Sequence, residues 1–307
     1  MTHRERFIRT LKCEPIGGQV PTFELVFFLT MEAFGKVHPS QRHYAQWDQM
    51  SRAEQKLHIE DQADIYIRTA KVYGHSAIFI HPNPGGFRWT QELLEAIRRR
   101  TGDEYYIMMH GDVTHSIPDG THLMDFCVQM LEEPEVLHDQ SKRWLEDNVK
   151  LATQLHEAGH LLDGFALCSD YCFNTNPFFR PDQFDEFIVP WLKRGIDEYR
   201  KLGYYSIKHT DGNMMPILKQ MADCKPDATG GFSTDAAKYS LDVVIPTELE
   251  EKIEEKLRAP LRELLSQDPR PGYAEDGDRV YGFTYGHSEI KFTVENGVLT
   301  VRDVKKV

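Results

Sequence analysis

A carboxylate at position 170 and a His-X-Asp pair at 209 and 211 are the residues best spaced for chemistry in this 307-residue chain. Each follows a short apolar run, Leu161 to Leu167 and Tyr204 to Ile207. Neither run has a helical period, as expected of strands buried on both faces. Between them Phe184, Phe187, Ile188, Trp191, Leu192, Ile196 and Tyr199 recur at steps of three and four, which predicts a helix from Phe184 to Leu202. Gly203 stands where that helix should stop. Strand, helix and strand in that order imply a parallel pair with a right-handed crossover. Ser169, Asp170, His209 and Asp211 then sit at the carboxyl ends of adjacent strands, where α/β barrels build their sites. A plainer reading makes Asp170 a cap of the following segment and Asp211 the N-cap of the next helix.

Other candidates fall at the same end of other predicted strands. Glu24 lies in VPTFELVFFL, Val20 to Leu29, where a carboxylate is costly unless paired, liganded or exposed. His81 ends a strand from Ala77 to Ile80, and His110 and Asp112 end one from Glu104 to Met109. Gly230 and Gly231 end a strand from Asp227 to Phe232, where they either let backbone approach a ligand or fit a tight corner. His38, His43 and His58 are scattered and read as surface residues.

The elements that must position these groups follow from periodicity. Helices are predicted at Thr2 to Lys12, Gln55 to Tyr73, Thr90 to Arg100, Met124 to Leu131, Pro134 to Glu157, Met214 to Met221 and Thr247 to Leu265. Further strands are predicted at Leu241 to Ile245 and, as the last of the barrel, Arg279 to Tyr285. A net charge of −12 and no basic stripe argue against a nucleic-acid partner. No apolar run reaches membrane-spanning length, and the opening MTHRERFIRTLK is not a signal peptide. Five scattered cysteines suit reduced thiols and a cytoplasmic location.

The stretch DGFALCSDYCFNTNPFFRPDQFDEFIVPWLKRGIDEYRKLGYYSIKHTDGNMMPIL resembles the middle of the uroporphyrinogen decarboxylase superfamily. The likeness extends roughly from Arg4 to Asn296 and is nearest to the cobalamin-linked methyltransferase branch. It implies an α/β fold, a (β/α)8 TIM barrel with an N-terminal helical cap, as one domain over residues 1–307. In that branch His-X-Cys-Gly supplies zinc ligands; here the turn is HTDG, with Asp211 in place of the cysteine. Gly286-His287 and Val294-Glu295-Asn296 stand where the branch has its last ligand and a Pro-Glu-Asn-like motif. The implied metal ligands are therefore His209, Asp211 and His287, a set suited to Zn2+ or Fe2+. Against this, Asn296-Gly297 is a strong hairpin signal, which would put His287 on an exposed flank.

The resemblance further implies Asp170 and Glu24 as catalytic groups, with His81, His110, Gly230 and Gly231 facing a cofactor. It implies methyl transfer between a small O- or N-methyl compound and a corrinoid carried by a partner protein, and it leaves room for a homodimer. The segment FELVFFLTMEAFGK lacks the arginines with which true uroporphyrinogen decarboxylases hold substrate carboxylates. A metal-free decarboxylase and a non-catalytic binding subunit are the alternatives.

Overall fold

The computed structural model describes residues 1–25, 34–230, 241–266, 279–286, 288–295 and 297–306. Five strands form a parallel sheet: β1 Ala77–Ile80, β2 Tyr106–His110, β3 Gly164–Leu167, β4 Tyr205–His209 and β5 Ala228–Gly230. Their order in space is their order in sequence, the outcome of successive right-handed crossovers. Side chains alternate between the two faces. Phe79, Tyr106, Met108, Ala166 and Ile207 share one core with Phe7, while Ile80, Ile107, Phe165 and Leu167 join another with the covering helices. Both faces are buried, which is why the strands read as unbroken apolar runs.

Phe7 belongs to the first helix, α1 His3–Leu11, which starts on a reciprocal cap between Thr2 and Glu5. Its ring stacks on Tyr106 at 4.5 Å. Arg4 of α1 holds one oxygen of the buried Asp163 at 2.7 Å, and Arg98 holds the other at 2.7 Å. The Ile107 amide donates to the same carboxylate at 2.8 Å. Asp163 precedes β3, so this knot closes the amino end of the sheet and leaves the carboxyl end for chemistry.

The remaining strands, β6 Asp242–Val244, β7 Tyr281–Tyr285, β8 Ser288–Glu295 and β9 Val298–Lys306, form a second sheet in the order β6-β9-β8-β7. It has a core of its own, built on Leu261, Tyr281, Ile290, Phe292, Leu299 and Val301. The described strands thus form a mixed α/β fold with sheets of five and four strands, and no closed eight-stranded barrel. Arg279 to Tyr285 is not a barrel strand: β7 pairs antiparallel with β8. Leu241 to Ile245 likewise contributes β6 to the second sheet, parallel to β9. A strand's alternation says which face is buried and nothing about which partner it takes.

Smaller differences have local causes. The predicted Phe184–Leu202 helix is two helices, Pro181–Phe187 and Val189–Lys201, because Pro190 lacks the amide needed to continue the ladder. The Thr247–Leu265 helix is likewise interrupted, as Thr247–Glu250 and Glu255–Ser266. Residues 20–25 are not a regular strand, although the Ser76 amide bonds to the Thr22 carbonyl at 2.7 Å; residues 26–29 lie outside the described residues. No helix among the described residues is long and apolar enough to cross a membrane.

Candidate functional site

Asp170, His209 and Asp211 converge at the carboxyl ends of β3 and β4, with one ligand atom from each within 4.8 Å of the others. Asp170 accepts the Asp211 amide at 3.0 Å, and His209 Nε2 lies 3.5 Å from the Asp211 carboxylate. Asp211 is exposed while the other two are half-buried, so the group opens to solvent on one side. Loop bonds fix this geometry. The Asp170 amide donates to Ser116 Oγ at 2.9 Å, its carbonyl accepts from Ile117 at 2.8 Å, and the Tyr171 amide donates to Thr210 Oγ1 at 2.9 Å. Gly212 has φ +88°, and a Cβ there would come within 2.6 Å of the Cys172 carbonyl oxygen. Only glycine lets the turn lie this close to the neighbouring loop. The Asn213 amide then bonds to the Phe173 carbonyl at 2.9 Å. Asn213 Oδ1, and not Asp211, accepts the Met215 amide at the start of the next helical turn.

Beneath this group lies Lys208, which sequence reasoning missed. Its ammonium is fully buried and donates to the carbonyls of Leu167 (2.9 Å), Ser169 (2.7 Å) and His209 (2.7 Å), 4.1 Å above the Tyr171 ring. Burial pulls its pKa down to about 8, against the pull of Asp112, Cys168 and Asp170 toward the charged form. The signal was available: a lysine inside the apolar run YYSIKH has to find partners.

A second cluster, also missed as a group, comprises His110, Asp112 and Cys168, again with ligand atoms within 4.8 Å. The Cys168 amide donates to the Asp112 carboxylate. Burial, then the neighbouring Asp112, pushes the Cys168 thiol up to about 12.

The other predicted residues are spread more widely. His81 packs against His110 and His38, each at 4.9 Å between ring centres, and against Phe79 at 4.6 Å. Burial lowers its pKa to about 4 and that of His38 to about 3; it lowers His110 as well. Burial thus favours the neutral form of each ring. His38 is buried and not, as predicted, a surface residue. Glu24 lines a cavity of about 20 Å³ beside β1 with His38, Tyr66 and His75, and burial raises its pKa to about 7. It is not one of the residues whose ligand atoms cluster with those of Asp170. Gly230 ends β5 opposite His209. Gly231 and His287 lie outside the described residues; β7 and β8, on either side of His287, belong to the second sheet.

Residues 115–245, which contain Asp170, His209 and Asp211, match the uroporphyrinogen decarboxylase (URO-D) family model. The α/β domain is related to that superfamily. Its matched segment ends before β7, and residues 238–307 match a different model, the TrmO C-terminal domain. Nothing in the sequence reading anticipated that second match. Among solved structures, a methyltransferase from Methanosarcina mazei is similar over 85% of this chain and 80% of that one, with 16% identity and a TM-score of 0.55. At that identity the likeness is one of fold. A 2,3-dimethylmalate lyase of the PEP mutase/isocitrate lyase superfamily matches at 10% identity over 72% of this chain and 87% of that one, with a TM-score of 0.31, too low to carry an argument. No curated protein matches the chain.

Proposed function

We propose that this chain is an enzyme of the uroporphyrinogen decarboxylase class, acting at the carboxyl end of the parallel sheet through Asp170, His209 and Asp211. The observation that carries the proposal is their convergence inside the segment that matches the URO-D model by sequence. Decarboxylation of an electron-rich aromatic or pyrrolic acid fits two carboxylates beside an imidazole. A proton is delivered to the ring carbon bearing the carboxylate, and the ring carries the positive charge that results. Asp170 and Asp211 stabilise that charge while His209 supplies the proton. The C–C bond then breaks, its electrons return to the ring, and CO2 leaves. The absence of arginine from residues 22–35 argues against a polycarboxylated porphyrinogen and for a smaller acid.

The methyltransferase fold and the ligand geometry favour a second reading, metal-assisted methyl transfer to a corrinoid protein. Two carboxylates and an imidazole, open on the exposed Asp211 side, fit a catalytic Zn2+ or Fe2+. Such an ion would supply Lewis acidity to an oxygen or nitrogen bearing the methyl group. Asp170 would then orient the Asp211 turn through the bond it accepts from that amide.

One experiment separates the two. Carboxyl-labelled aromatic and pyrrolic acids should release labelled CO2, and Asp170→Asn should slow the release at least about 10²-fold. Methyl-cobalt formation from an O- or N-methyl donor with reduced corrinoid, without CO2 release from any acid tested, would replace decarboxylation with methyl transfer.

A further inference from the structure

His110, Asp112 and Cys168 take no part in the chemistry above. They come from the ends of two neighbouring strands: His110 closes β2, Asp112 lies two residues beyond it, and Cys168 follows β3. We propose that these three side chains form a second metal site, which takes a thiophilic divalent cation such as Zn2+.

The donor set is an imidazole, a carboxylate and a thiol, the kind that binds zinc through three protein ligands and keeps a fourth position open. Its sulfur makes it softer than the Asp-His-Asp group next to it, so the two would sort cations differently. Ligand atoms around a tetrahedral zinc lie roughly 3.3–3.8 Å apart, given bonds of about 2.0–2.3 Å. Side-chain rotations on the order of 1 Å would therefore close the cluster, whose ligand atoms lie within 4.8 Å of one another.

The state of Asp112 points the same way. One of its oxygens accepts the Cys168 amide; the other is buried with no hydrogen-bond partner. A buried carboxylate oxygen left unmatched is costly, and a cation among the three donors would match it. The nearby Lys208 ammonium does not: its three hydrogen bonds go to backbone carbonyls. On binding, the thiol proton leaves to solvent and a sulfur–metal bond takes its place. The two clusters share no residue, so this site stands whether or not the Asp170 group performs the reaction proposed above.

The test uses the full chain, stripped with a chelator and titrated with Co2+. Thiolate-to-cobalt charge-transfer absorption should appear, should vanish in Cys168→Ser and should persist in Cys172→Ser. Asp112→Asn keeps an acceptor for the Cys168 amide but removes the charge, and should weaken the titration about tenfold; it serves should Cys168→Ser fail to fold. Asp211→Asn should leave the absorption unchanged, which separates this site from its neighbour. Absence of the absorption from the wild-type chain, its survival in Cys168→Ser, or full-strength binding in Asp112→Asn would overturn the proposal.

Discussion

At the scale of single residues, Asp211 is where sequence leaves two roles open and the structure gives the capping bond to Asn213 instead. A helix cap would face the amides that follow it, but Asn213 does that work and the Asp211 carboxylate faces His209. Asp211→Asn should therefore shift Tm by less than about 2 °C. On the metal-assisted reading it should also weaken metal binding at the Asp170 group roughly tenfold or more, by analogy with losses at supporting ligands. Calorimetry and metal titration on the same preparation check both. Glu24 makes a pH prediction. Its carboxyl titrates near 7 in the folded chain, against an ordinary value of 4.5, because burial disfavours the charge. The folded state therefore binds more protons between those values, and its stabilising share is complete below 4.5 and lost as pH rises through 7. Relative to Glu24→Gln, the wild-type chain should lose stability across that window in urea titrations at stepped pH. A constant difference would refute the assignment. Residues 169, 170, 209 and 211 were legible because each follows an apolar run that has to end somewhere. Cys168 was not: the number and scatter of the cysteines cannot reveal that β2 delivers His110 and Asp112 beside it.

At the scale of elements, the parallel strands were legible because burial on both faces leaves short apolar runs with nothing to confuse them. The strand Ala77 to Ile80 and the helix Pro134 to Glu157 have the predicted bounds. Boundaries elsewhere failed where one proline or a cap outweighed the periodic pattern, as at Pro190. What ties the elements at the amino end is Asp163, which takes two arginines and a backbone amide while only 2% exposed. Removing one partner of a buried ion pair leaves the others uncompensated. Asp163→Ala should cost about 3–5 kcal/mol in urea unfolding. It should also raise amide exchange across His3–Leu11 more than across β3. Equal protection of α1 in both proteins would show that Phe7 alone holds the helix.

At the scale of the whole molecule, the C-terminal sheet was the least legible part. Tyr281, Phe283 and Tyr285 alternate as a half-buried strand would in either sheet, whereas the hairpin signalled by Asn296-Gly297 is present as the antiparallel pair of β8 and β9 on either side of it. The separate core of the second sheet and two family models that meet near residue 240 support the proposal that the chain is built as two units. Residues 238–307 expressed alone should then give dispersed amide resonances and a cooperative unfolding transition. A collapsed, non-cooperative spectrum would instead support the one-domain organisation expected from sequence.

Lys208 gives the carboxyl end of the sheet a further property. Small metal-dependent folds commonly rely on their ion as a cross-link and come apart without it. Here a fixed ammonium already joins the carbonyls of Leu167, Ser169 and His209, so the ends of β3 and β4 that carry Cys168, Asp170, His209 and Asp211 are fastened from below by the chain itself. A ligand held above them would then be a passenger, not a rivet: it could arrive and leave at the pace of ligand exchange, with no refolding step.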